Sequence, residues 1–107
     1  MSTKTIIFAA SLALLGLAGS AMAQANKDAL YTQSLAATCA SCHGTDGRPV
    51  AGSALAPLAG MPREVMLAQF KAFKDGSRPA TVMHQLAKGY SDQQVEALAT
   101  YFSTLKR

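Results

Sequence analysis

The run Cys39-Ala40-Ser41-Cys42-His43, followed at once by Gly44, constrains this chain more than any other stretch. Two thiols three residues apart, with a histidine directly behind them, form the attachment signature of a c-type haem. Positions i and i+3 are neighbours on a helix surface, so the thiols of Cys39 and Cys42 suit the two vinyl groups of one porphyrin edge. His43 then lies beneath the ring, where it can bind iron from the proximal side. A chain built this way folds as a wrapping for a large apolar disc, which supplies the centre of a core.

Competing readings of the same residues fare worse. A structural zinc site needs a second pair of ligands, and no second cysteine pair exists; the only other histidine is His84. A thioredoxin-like C-x-x-C sits in a βαβ surround, but no stretch of this chain shows strand alternation. A disulfide between Cys39 and Cys42 would close a very small loop and add little stability.

Upstream, Lys4 precedes an apolar run from Ile6 to Gly19, which ends in Ala21-Met22-Ala23. A charged start, an apolar stretch and an A-x-A box describe an export leader. Residues 1–23 are therefore expected to be removed, leaving 24–107 as a single monohaem domain in the periplasm. The run is shorter than the about 20 apolar residues that span a membrane, so no stable insertion is expected after cleavage. The formal net charge is +4. One of these charges leaves with Lys4, and two ionised haem propionates would offset two more. The remaining charges are scattered, without the basic stripe that nucleic-acid binding requires.

The mature chain reads as all-α, four or so helices wrapped around one haem. Asn26 to Thr38 predicts a first helix capped by Asn26 and leading straight into the cysteines. Gly44 to Gly60, with Pro49 and Pro57, reads as loop. Pro62 opens a helix whose apolar stripe is Val65, Met66, Phe70 and Phe73, with Lys71 and Lys74 facing solvent and Gly76 as its stop. A short segment follows from Ala80 to Lys88, with Gly89 as its cap. Ser91 and Gln94 form a capping-box pattern before a helix with Val95, Leu98, Ala99 and Phe102 on one face. Lys106 and Arg107 would sit at the negative end of that helix dipole.

A second axial ligand decides whether the iron moves electrons or binds small molecules. Met61, Met66, Met83 and His84 are the candidates. Met66 lies on the apolar stripe and reads as core filler. Placement favours Met83, far enough beyond His43 for the chain to wrap around the ring. Met61, His84 or an open site remain the alternatives. Arg48 and Arg78 read either as propionate partners or as solvated surface arginines.

Together, Cys39 to Gly44, the loop before Leu58-Ala59-Gly60, a late methionine and a capped final helix resemble class I cytochromes c. Within that class, Leu35 to Gly47 and the run Ala80 to Ser91 are similar to the haem subunits of flavocytochrome c sulfide dehydrogenase. The resemblance covers residues 24–107 and puts the axial methionine on Met83. It implies one covalent haem c, an FAD-containing sulfide dehydrogenase subunit as electron donor and another cytochrome as acceptor. The family places a carbonyl from the proline loop against the proximal histidine. Here Pro57 and Leu58 are adjacent, where the class commonly has a residue between them, so Ala56 or Pro57 supplies it.

Three functions fit. One is a non-catalytic haem subunit of a sulfide-oxidising flavocytochrome; another is a free-standing monohaem carrier serving an oxidase or reductase. The third is a haem enzyme or gas sensor with an open iron position. A bound flavin would mark the first, a flavin-free monomer the second, and carbon monoxide binding to the native ferrous protein the third.

Overall fold

The structure, a computed structural model, describes the backbone of residues 3–107 and the side chains of residues 19–107. It contains five α-helices and no strand among the described residues: α1 (Thr3–Ala37), α2 (Ala40–His43), α3 (Arg63–Asp75), α4 (Met83–Leu86) and α5 (Asp92–Thr104). Two 3-10 turns, Thr45–Gly47 and Ala87–Gly89, follow α2 and α4. The chain divides into two units, Met1–Tyr31 and Thr32–Arg107. The first unit is a stretch of α1 on which Met22, Leu30 and Tyr31 are exposed. No described helix is long and apolar enough to cross a membrane.

Asn26 does not cap a helix, because α1 runs through it from Thr3. The residues before it are mostly alanine, leucine and methionine, strong helix formers with no proline among them, so nothing interrupts the backbone there. The expected leader falls largely on residues whose side chains lie outside the described part.

The second unit is organised by α3 against α5. Met66 and Phe70 pack with Val95, Leu98, Ala99 and Phe102 into one apolar cluster that also holds Ala36 and Ala87. Leu98 and Phe102 are the largest fully buried side chains, each worth about 1.5–3 kcal/mol of burial. The capping box is formed on both sides: Ser91 Oγ accepts from Gln94 N, and Gln94 Oε1 accepts from Ser91 N. Two donors that the first turn leaves without partners are thereby satisfied.

Four local expectations change. Val65 is exposed, since the α3 face is narrower than its stripe and centres on Met66 and Phe70. Lys74 is largely covered and reaches Asp92 at 3.0 Å, tying α3 to the first turn of α5. Gly89 lies inside a 3-10 turn rather than capping α4, and the chain becomes extended only at Tyr90. Pro62 is the N-cap of α3 rather than its first helical residue. At Gly76, by contrast, φ is 81°, the left-handed stop that glycine provides.

Candidate cofactor site

The site begins at the end of α1. Cys39 N donates to Ala36 O, and His43 N to Cys39 O at 2.9 Å, so Cys39 to His43 form one tight helical turn. Both cysteines are free thiols, Cys39 half-buried and Cys42 exposed. Burial pushes the Cys39 thiol above its usual pKa.

Gly44 then turns the chain with φ 79° and ψ 163°. Three residues on, the carbonyl of Gly47 accepts from Leu58 N at 2.8 Å and from Ala59 N at 3.1 Å. These two bonds close the segment between Gly47 and Leu58 into a compact loop whose ends meet. A Cβ on Gly47 would come within 2.7 Å of the Leu58 Cβ and 2.9 Å of the Phe102 ring, so the closure leaves room only for glycine. Gly60 N donates to Phe102 O, fastening the loop's exit to the end of α5.

Closure brings Ala56 to His43. The imidazole Nδ1 lies 2.7 Å from Ala56 O. A carbonyl can only accept, so Nδ1 carries the proton and Nε2 presents a lone pair. Of the two carbonyls left open by the sequence, Ala56 is the acceptor. An imidazole held this way is fixed in orientation and tautomer, the arrangement that metal-binding histidines use.

Met83, the first residue of α4, is half-buried against the core, as is Met61. Met66 is 2% exposed and belongs to the core itself. Next to Met83, His84 Nδ1 is buried without a hydrogen-bond partner. Arg48 donates to Lys106 O at 2.6 Å and pairs with Asp46, while Arg78 lies over the Phe73 ring at 4.9 Å. Both arginines are thus engaged within the protein. The expected dipole contact of the C-terminal cations is also replaced: Leu105 is extended, and Arg107 Nε bonds Gly60 O.

These residues fit a covalently held haem. Two free thiols one turn apart precede an imidazole whose unprotonated nitrogen is available. Leu55 and Val82, beside Ala56 and Met83 in the chain, remain exposed with the polypeptide alone, as does Leu86. The buried, unpartnered nitrogen of His84 marks a place that the chain's own atoms do not complete. A separate open cleft of about 370 Å³, bordered by Ala36, Ala40, Asp46 and Tyr101, is lined by neither His43 nor Met83.

One link at the site had no signal in the sequence. The Thr38 and Tyr90 hydroxyls meet at 3.0 Å across 52 residues of chain. No local period reveals such a pair.

Residues 29–106 match the family model described as Cytochrome c. The thiosulfate dehydrogenase electron acceptor of Thiomonas intermedia is 44% identical over 71 residues, 66% of this chain and 33% of that protein. The cytochrome subunit of sulfide dehydrogenase from Chlorobaculum tepidum is 38% identical over 73 residues, 68% of this chain and 64% of that protein. Cytochrome c-554(548) of Halomonas halodenitrificans is 34% identical over 84 residues, 72% of this chain and 95% of that protein. The chain thus spans a third to just under two thirds of the first two relatives and nearly all of the third.

Proposed function

The chain belongs to the cytochrome c family, and on that premise we propose a periplasmic one-electron carrier with His43 and Met83 as its axial ligands. Haem c, the family's covalent group, supplies a ferrous–ferric couple when bound. Cys39 and Cys42 hold it by thioethers. The observation that carries the ligand reading is the His43 Nδ1–H bond to Ala56 O at 2.7 Å, which leaves Nε2 free and fixes the ring plane. Met83 is supported by its half-buried place at the start of α4, next to the exposed Val82. A thioether ligand favours the ferrous state, which suits a carrier accepting electrons from a low-potential donor. Cleavage after Ala23 belongs to the same reading. It would leave Asn26 close to the new N-terminus, where it could act as the cap.

For the partner, we read the chain as the cytochrome subunit beside a flavoprotein that oxidises sulfide. The likeness to the Chlorobaculum tepidum subunit and the run Thr81 to Ser91 support this. A second reading, a free-standing carrier, is favoured by one specific fact: the match spans 95% of the Halomonas halodenitrificans cytochrome. Purification from the native periplasm separates them, a stoichiometric flavin supporting the first and a flavin-free monomer the second.

Replacement of Met83 tests the ligand reading. The Met83→Ala holoprotein is expected to keep its pigment through acid–acetone extraction but to lose the weak red absorption of methionine bonded to ferric iron. Survival of that band in the variant would transfer the role to Met61.

A further inference from the structure

The Thr38 hydroxyl makes two contacts, 2.7 Å to Leu35 O and 3.0 Å to Tyr90 OH. Its single proton goes to the carbonyl, which can only accept, so Tyr90 is the donor in the second contact. Thr38 directly precedes Cys39 and stands at the end of the α1 turn that delivers the attachment site. Tyr90 ends the segment that Met83 begins. From Met83 to Gly89 that segment is continuous helix and 3-10 turn, with Tyr90 N donating to Ala87 O and Ala87 fully buried. The Tyr90 ring stands edge-on to Phe70 at 5.8 Å and 81°, so its hydroxyl is aimed by packing on α3.

We propose that Tyr90 and Thr38 form a hydroxyl clasp that holds the Met83-bearing segment against the haem-attachment segment, making both positioning residues for the distal ligand. Its ends lie on the residue before the first thioether cysteine and on the residue that immediately follows the rod starting with Met83. The inference rests on the axial role of Met83. For an external ligand to reach the iron, Met83 must withdraw, and the rod that carries it must shift. The clasp resists this shift.

The test is imidazole binding to the ferric holoprotein, followed by loss of the methionine band. Tyr90→Phe and Thr38→Val are each expected to tighten imidazole binding about three- to tenfold, the equilibrium equivalent of one hydrogen bond. Thr38→Ser restores the wild-type value, and the double variant equals either single one, since both remove the same bond. Unchanged imidazole affinity in both single variants, or strictly additive effects, overturns the clasp. Lowered unfolding midpoints with unchanged imidazole affinity also overturn it, because a merely structural bond would behave that way. Persistence of the band in Met83→Ala refutes the ligand assignment instead, so the two failures read differently.

Discussion

Gly44→Ala tests how the loop orients His43. At φ 79° and ψ 163° the residue occupies backbone space that is essentially glycine's alone, and a side chain there costs about 1–3 kcal/mol. A Cβ would also overlap the Arg48 carbonyl and stand 2.7 Å from Pro49 Cα. Both are backbone atoms, so the loop itself must move, adding about 1–3 kcal/mol as overpacking does. Gly52 is the control. Its φ is 82°, but nothing lies within 4 Å of an added Cβ, so Gly52→Ala loses only the left-handed preference, about 1–2 kcal/mol. With a guanidinium slope of about 3 kcal/mol/M, Gly44→Ala should unfold about 1 M earlier than wild type and Gly52→Ala about 0.5 M earlier. Denaturation of the holoprotein, followed by far-UV circular dichroism, measures both. Since the displaced loop carries Ala56, Gly44→Ala should also alter the ferric spectrum, whereas Gly52→Ala should not. Equal midpoints for the two variants would refute the steric part of this argument.

Ser91→Ala removes one half of the capping box at α5 and is expected to cost about 0.5–2 kcal/mol, read as a lower urea midpoint with unchanged slope. Asp75 has its carboxyl lowered to about 2 by hydrogen bonds from Ser77 and by Lys71. A folded-state value below the unfolded one contributes stability above about pH 4 that is lost as pH falls toward 2. Ser77→Ala should therefore flatten the acid limb of the stability profile; an unaltered limb would show that Ser77 does not hold the carboxyl.

The features legible in the amino-acid order are those governed by neighbours three or four residues apart. The Cys39-to-His43 turn, the Ser91–Gln94 box and the buried face from Val95 to Phe102 depend only on helical spacing, and the structure contains each of them. Met66 as core filler follows from the same period. The all-α class was readable for this reason, as was the haem, whose signature is a spacing.

Folding decided whatever joins distant residues. The choice of Ala56 over Pro57 depended on Gly47 closing the loop. The exposure of Val65 and the covering of Lys74 depended on which parts of α3 pack against α5. Arg48 found a carbonyl at Lys106, and Tyr90 found Thr38, each across more than fifty residues. A local period carries no information about such partners, because each exists only where two remote backbone segments happen to be brought within hydrogen-bonding distance.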